Sequence, residues 1–178
     1  MSLWNPTAEN MTRRELRALQ FDKLKVLVDR VYNESPYYKN KLTAAGVSPE
    51  HLKSLENYQD FPFFDKDEER LSQEESKEAL GHPFGMHITC DPKLVNRVSS
   101  SSGTTGSPTF SGFTKADRAI AAENKARGLR RIGIEPGDVV LHASVLSMWI
   151  AGVPAVDSKL SVSASPIEIH HVAETLQP

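Results

Sequence analysis

A run of hydroxyl and glycine residues is the part of the sequence whose composition is suited to chemistry. Residues 99–109 read Ser-Ser-Ser-Ser-Gly-Thr-Thr-Gly-Ser-Pro-Thr and contain no hydrophobic side chain. Gly103 and Gly106 let the backbone bend so that successive N–H groups converge on one point, and the hydroxyls add further donors. The run therefore predicts a loop that binds an anion, with phosphate as the expected ligand.

Two other interpretations of the same residues stay open. A short Ser/Gly-rich segment is also typical of a flexible linker or of a plain hairpin turn. Against the linker, the run includes Thr and Pro, and strand-like sequence lies close on both sides. The nucleotide-binding loop of P-loop enzymes is excluded, because it needs four residues between its glycines and then Lys and Ser or Thr. Here Thr104 and Thr105 alone separate the glycines, and Ser107 follows them.

The sequence on each side of the run predicts elements that would hold its ends. Residues 94–100 and 110–113 are predicted strands, since both contain β-branched or aromatic side chains. Thr114 then predicts the cap of a helix with Asp117 in its first turn, and Gly133 predicts its end. The expected buried side of this helix consists of Ala119, Ile120, Leu129 and Ile132.

A further strand is predicted after this helix, at residues 139–143. Because strand, helix and strand in this order commonly form a right-handed crossover, the sequence predicts a parallel βαβ unit around the run. Beyond it, a half-exposed strand is predicted at residues 158–165 and a short helix at residues 166–176.

Helices are predicted for residues 1–80. Thr12 and Glu15 have the spacing of a capping box and open a long amphipathic helix that runs to about Asn33. The aromatic cluster at residues 61–64 is interpreted as core packing rather than as part of a ligand pocket. The other predicted helical segments are residues 37–45, 48–53 and 66–80. A strand is expected next, at residues 86–89.

Composition limits the class of protein. The chain of 178 residues is long enough to bury a substantial core, and its net charge of −2 gives no indication of nucleic-acid binding. Its single cysteine, Cys90, excludes an intrachain disulfide. No signal-like N-terminus and no apolar run of membrane-spanning length is present. The sequence thus predicts a cytoplasmic protein that binds neither nucleic acid nor membrane.

Two other chemistries are not supported by the residue pattern. His82, His87 and Cys90, with Asp91 beside them, are irregularly spaced and lack a second pair of ligands, so no metal site is predicted. Cys90 is interpreted as a small buried hydrophobic residue. The serines at 99–102 lack the Gly-x-Ser-x-Gly elbow of a serine hydrolase.

Residues 101–109 resemble the phosphate-binding signature of adenylate-forming enzymes, the acyl-CoA synthetase and ligase superfamily. Four further stretches are similar, in the same order, to phenylacetate–CoA ligases, and the resemblance covers about residues 4–142. These stretches are residues 4–6, 11–16, 35–38 and 133–138. The sequence departs from many members of the superfamily at Ser107, where they carry Lys, and this removes one cation from the phosphate site.

The resemblance implies a ligase that uses ATP with magnesium to convert a carboxylate to an acyl-adenylate, releasing pyrophosphate. The acyl group then passes to the thiol of coenzyme A, and the acid would be phenylacetate or a similar aryl acid. By match to the motif, the residues expected to hold the ATP phosphates are Ser102, Gly103, Thr104, Thr105 and Gly106. Ser101, Ser107 and Thr109 are expected to contribute secondarily, and no catalytic residue is identified.

The resemblance also implies a fold class. An α/β protein is expected, with an N-terminal helical segment followed by a partial, mostly parallel βαβ sheet. This would be an incomplete part of the large N-terminal domain of adenylate-forming enzymes. The expected division is a helical segment at residues 1–80, a core with the loop at residues 81–145, and a divergent or truncated tail at residues 146–178.

Several segments expected from the family do not occur in these 178 residues. They are an aromatic-Gly-x-Thr-Glu-like segment, an Asp for the ribose and the Lys of a mobile C-terminal domain. We therefore expect either part of a ligase, inactive alone, or a truncated descendant that serves as a non-catalytic phosphate-binding or interaction module. Unpaired strand edges predict a homo-oligomer with residues 139–162 at the contact, or association with the missing portion of the ligase.

Overall fold

The computed structural model describes residues 3–101, 107–142, 148 and 165–168. The chain divides into two units, one of residues 10–94 and one of residues 1–9 with 95–178. The helices are α1 (Pro6–Glu9), α2 (Arg13–Glu34), α3 (Pro36–Ala44), α4 (Lys66–Leu80) and α5 (Lys115–Arg131). The strands are β1 (Arg97–Ser100), β2 (Phe110–Phe113), β3 (Val139–His142) and β4 (Ser165–Glu168). Short 3-10 turns cover Pro49–His51, Glu56–Asp60 and Pro92–Leu94.

Capping residues set the limits of the helices in the unit of residues 10–94. Thr12 accepts the N–H of Glu15, and the Glu15 carboxylate accepts the N–H of Thr12 in return, at 2.8 Å. Asp65 and Glu68 form the same reciprocal pair at the start of α4. Gly81 follows α4 with a φ of 73°, a conformation that other residues rarely adopt. The caps at Thr12 and Asp65 and the helices that begin near residues 13, 37 and 66 are confirmed. The segment predicted at residues 48–53 is only a 3-10 turn at Pro49–His51.

The apolar core of this unit lies between α2, α3 and the turns that follow them. Val28, Leu42, Leu52 and Phe61 are each at most 8% exposed and form one cluster. Phe61 confirms the expectation that the aromatic cluster at residues 61–64 packs in the core. Phe63 does not follow this expectation, since it is 92% exposed and does not pack in the core.

Buried serines of α4 hold the segment that follows it. Ser72 Oγ accepts the N–H of Met86 at 2.8 Å, and Ser76 Oγ accepts the N–H of Gly85 at 2.9 Å. Ile88 N–H in turn donates to the carbonyl of Gly85, which closes a turn. The strand predicted at residues 86–89 is therefore wrong. The Met86 N–H is bonded to Ser72 and the Ile88 N–H to this turn, so these groups are not part of a strand ladder.

His87 makes the stability of this unit pH-dependent. Its Nδ1 lies 2.9 Å from Ser72 Oγ, which also accepts the Met86 N–H. Burial lowers the pKa of His87 below its ordinary value of 6.5, while the Glu69 carboxylate acts in the opposite direction. The unfolded chain thus binds a proton at a pH where the folded one does not, so stability falls as the pH drops below about 6.5.

We expect the urea midpoint of the wild-type chain to decrease between about pH 7 and about pH 5. His87→Gln removes the titrating group, so its midpoint is expected to change less over the same range. Equal slopes in wild type and His87→Gln would contradict the assignment.

In the second unit, α5 packs through small side chains. Ala126 is fully buried and contacts Trp4, Leu129, Ile134 and Val140, while Ala122 is also buried. The buried side predicted for α5 is largely wrong, since Ala119, Ile120 and Ile132 are exposed and Leu129 is only partly buried. The close approach of Trp4 explains the difference, because alanines give a bulky ring room against the helix. The predicted end of α5 is confirmed, with Gly133 at a φ of 94°.

Strand pairing differs from the predicted βαβ unit. The first sheet pairs β1 with β2 antiparallel, and the second pairs β3 with β4 in parallel. The strands that precede and follow α5 therefore lie in different two-stranded sheets of the described chain. A parallel crossover joining them is not confirmed. The chain returns at once through the loop of residues 101–109, and a short connection of this kind gives an antiparallel pair.

Two other predicted boundaries change. The strand predicted from residue 94 begins at Arg97, because Asp91 accepts the N–H of Lys93 at 2.9 Å and starts a 3-10 turn that ends at Leu94. The helix predicted at residues 166–176 is wrong at its start, since Ser165–Glu168 is a strand. The rest of that helix, and the predicted strand at residues 158–164, lie outside the described residues. Among the described residues, no helix is both long and apolar enough to cross a bilayer.

Candidate phosphate-binding site

A two-stranded hairpin carries the candidate site. Its strands β1 and β2 pair in the register Arg97 with Phe113 through Ser100 with Phe110. The hydroxyl and glycine run therefore connects two hydrogen-bonded strands, as the flanking sequence predicted. A linker between separate modules would not have both of its ends in one sheet.

Ser101 and Thr109 stand opposite each other where the loop leaves the strands. The Ser101 N–H donates to the Thr109 carbonyl at 3.0 Å, and the Thr109 N–H donates to Ser101 Oγ, also at 3.0 Å. The Thr109 hydroxyl donates to the same Oγ at 3.3 Å. These three contacts join the two ends of the loop.

Burial differs sharply along the described part of the run. Ser99 and Thr109 are each 3% exposed, whereas Ser107 and Pro108 are exposed. On the outer edge of β1, the Ser100 N–H donates to the carbonyl of Met148 at 2.6 Å. Of these described residues, Ser107 and Pro108 are thus open to solvent, whereas Ser99 and Thr109 are not.

The residues expected to contact phosphate fall into two groups. Ser102, Gly103, Thr104, Thr105 and Gly106 lie outside the described residues. The structure brings together Ser101 and Thr109, and it leaves Ser107 exposed, so three predicted site residues have a described position. The pairing of Ser101 with Thr109 was not predicted, although two hydroxyls flanking a glycine-rich run are its signal in the sequence.

The helix that follows the hairpin is held by the N-terminal segment. Glu123 of α5 accepts a hydrogen bond from Asn5 Nδ2 at 2.9 Å and another from Trp4 Nε1. These donors hold the pKa of Glu123 below its ordinary value. Glu9 pairs with Arg131 at 2.9 Å near the other end of α5. Sequence reasoning missed this contact, because nothing in the spacing of residues 4–9 indicates where they dock.

The residues considered for a metal have other contacts. His87 bonds to Ser72, the His82 ring stacks on Phe84 with centroids 5.8 Å apart, and Asp91 caps the turn at Lys93. Within the described part of the chain, no group of three or more His, Cys, Asp or Glu residues is placed to hold a metal ion.

Two grooves lie in the unit of residues 10–94. The larger, about 460 Å³, is lined by α3 and α4 and contains the ion pair of Lys41 with Glu68. The smaller, about 210 Å³, is largely apolar and includes the core residues Val28, Leu42 and Phe61. Lys41 and Glu68 are paired with each other, and the lining of the smaller groove is mostly apolar, so neither groove offers the run of hydroxyl side chains found in residues 99–109.

No family model matches the chain. Three curated proteins named phenylacetate–coenzyme A ligase are similar. The one from Thermus thermophilus is 36% identical over 151 residues, covering 85% of this chain and 32% of its own. The one from Aromatoleum evansii is 38% identical over 147 residues, covering 83% and 31%. That from Escherichia coli is 33% identical over 141 residues, covering 79% and 30%. The chain thus spans about one third of the length of these relatives.

Solved structures of 2-hydroxyisobutyryl-CoA ligase have the same fold over this region. One, in the postadenylation state with 2-HIB-AMP, has a TM-score of 0.86 at 27% identity and covers 96% of this chain and 35% of its own. Another, with 2-HIB-AMP and CoA in the thioesterification state, has a TM-score of 0.85 at 29% identity and covers 97% and 35%.

Proposed function

The chain is a relative of the phenylacetate–coenzyme A ligases and shares the N-terminal fold of adenylate-forming CoA ligases, and from this premise we propose that it supplies the phosphate-binding part of an ATP-dependent carboxylate–CoA ligase. The hairpin supports this proposal most directly. The contact between Ser101 and Thr109 joins the two ends of the run of hydroxyls and glycines, and Ser107 is open to solvent.

The proposed reaction has two steps. A carboxylate oxygen of the acid attacks the α-phosphorus of ATP, which forms the acyl-adenylate and expels pyrophosphate. The sulfur of coenzyme A then attacks the acyl carbon, so that the thioester forms and AMP leaves. Positioning and electrostatic stabilisation carry most of the first step, because the charge on the departing pyrophosphate must be met by fixed donors.

In this proposal the loop binds the β- and γ-phosphates of ATP. Backbone N–H groups between Ser101 and Thr109 and the hydroxyls of Thr104 and Thr105 would donate to the phosphate oxygens. No carboxylate occurs in residues 99–109, so the loop itself offers magnesium no acidic ligand. Magnesium would enter with ATP, neutralising phosphate charge, and the residues present fit the phosphates rather than the ion.

The acid, the partners and the location are also part of the proposal. An aryl acid such as phenylacetate is supported by the names of the curated relatives, and a cytoplasmic location by the single cysteine. Self-association, or association with further ligase sequence, is supported by β3, where Val139 and Leu141 are 64% and 61% exposed.

Calorimetry with the 178-residue chain tests the loop. We expect pyrophosphate and ATP to bind weakly and with similar affinity, and adenosine not to bind, because the loop contacts phosphates alone. Tight binding that requires adenine would contradict the proposal, as would no binding of pyrophosphate.

A chimera separates the ligase from a non-catalytic phosphate-binding module. The chain would replace the matching third of the Thermus thermophilus relative, and acyl-CoA formation from phenylacetate, ATP and coenzyme A would be measured. The ligase proposal expects turnover by the chimera and background rates from the 178 residues alone. Pyrophosphate binding without turnover in the chimera would favour the module.

A further inference from the structure

The N-terminal segment, residues 4–9, docks on α5 from a distant part of the sequence. The Trp4 ring packs against Ala126, which is fully buried and also contacts Val140 of β3. Trp4 is hydrogen-bonded to Glu123, which stands 119 positions further along the chain. The residues between them include the whole unit of residues 10–94. Neighbouring sequence therefore does not impose the docking, which depends on side-chain contacts.

One carboxylate of α5 collects the hydrogen bonds of this segment. Glu123 Oε1 accepts Asn5 Nδ2 at 2.9 Å, and Glu123 Oε2 accepts Trp4 Nε1. Arg127, on the next turn of α5, donates to Oε1 at 3.2 Å. Both carboxylate oxygens are thus acceptors. A protonated Glu123 would present its O–H to one of these donors, and the hydrogen bond there would be lost.

A second carboxylate, Glu9, lies within the segment itself. Its side chain is 6% exposed, and it accepts the N–H of Asn5 at 2.8 Å and Arg131 Nε at 2.9 Å. Among the described residues, the charged groups bonded to these two carboxylates are Arg127 and Arg131, both on α5. Trp4 and Asn5 contribute neutral donors, and β3 contributes the apolar side chain of Val140.

We propose that residues 4–9 form a releasable strap, which is held on α5 by the charge of Glu123 and released when that charge is lost. The bonds from Asn5 and Trp4 hold the pKa of Glu123 below its ordinary value of 4.5, and the Asn5 N–H and Arg131 do the same for Glu9. Both carboxyls bind a proton less readily when the strap is docked. Docking is therefore strongest above about pH 4.5 and weakens as the pH falls through the lowered pKa values. This inference does not depend on the proposed phosphate-binding function.

The test uses the full chain with Trp149→Phe, which leaves Trp4 as its single tryptophan. At about pH 7, Glu123→Gln is expected to raise the acrylamide quenching constant of Trp4 at least about twofold, because the indole leaves its packing against α5. Glu9→Gln, which keeps the Glu123 carboxylate, should raise it by less. Glu78→Gln, the same substitution at an exposed residue of α4, is the matched control and should leave quenching unchanged.

NMR and circular dichroism distinguish release of the strap from unfolding. We expect the Cα chemical shifts of residues 115–131 to stay helical in Glu123→Gln. In the chain that keeps Glu123, quenching should rise as the pH falls below about 4.5, before the far-ultraviolet circular dichroism changes, and Glu123→Gln should lack this rise.

Unchanged quenching in Glu123→Gln would overturn the strap, as would loss of the helical shifts of α5 in that variant. If Glu123→Gln does not fold, the acid titration of the chain that keeps Glu123 decides. A rise in quenching that coincides with the loss of circular dichroism would then mean that residues 4–9 are a fixed part of their unit.

Discussion

Replacing Gly103 by valine is expected to reduce the affinity of the chain for pyrophosphate by about tenfold or more. A β-branched residue is confined to a narrow range of backbone angles, and its side chain occupies space on the concave side of a phosphate loop. Losing one hydrogen bond to a charged phosphate costs about 1.5–3 kcal/mol, which corresponds to at least about a tenfold change. Isothermal calorimetry with inorganic pyrophosphate measures the effect.

Ser107→Ala and Thr104→Val are the companion variants. Because Ser107 is exposed and lies outside the five residues expected to hold the phosphates, its hydroxyl should matter less, with a loss below about fivefold. Thr104→Val removes a predicted phosphate donor at nearly constant shape and is expected to rank between the two. If Gly103→Val bound pyrophosphate as the wild type does, the run would be a plain hairpin turn.

Leu42→Ala is expected to lower the free energy of unfolding of the helical unit by about 2–4 kcal/mol, the second large effect. Leu42 is 5% exposed and packs with Val28, Leu52 and Phe61, so its truncation leaves a cavity in a small core. Urea unfolding followed by far-ultraviolet circular dichroism measures the change.

Leu27→Ala is the matched control for the core variant. The substitution is also leucine to alanine and lies in the same unit. Because Leu27 is 54% exposed, we expect the free energy of unfolding to fall by less than about 1 kcal/mol. Similar losses for the two variants would mean that the cluster around Leu42 does not dominate the stability of this unit.

Local signals in the sequence were sufficient for most helices. The reciprocal caps at Thr12 and Asp65, and the left-handed glycines Gly81 and Gly133, involve residues within a few positions of one another. Because the partners of such hydrogen bonds lie within a few positions, the places where helices begin and end can be predicted from spacing alone. The run of glycine and hydroxyl residues at 99–109 could likewise be recognised from the sequence alone, because its residues are consecutive.

Contacts between distant residues were decided only by the tertiary structure. Residues 86–89 have the composition of a strand, yet serines 72 and 76 of a preceding helix bind the backbone N–H groups at residues 85–86 and a turn forms there. The partner of β2 is likewise β1 rather than β3, because pairing depends on which backbone groups meet in space.

The candidate site shows the same division between local and distant causes. The sequence by itself determined which residues can donate to a phosphate, since this depends on hydroxyls, glycines and their order. It did not determine which of them remain open to a ligand. The tertiary structure joined Ser101 to Thr109, because the two residues continue a paired hairpin, and it left Ser107 exposed.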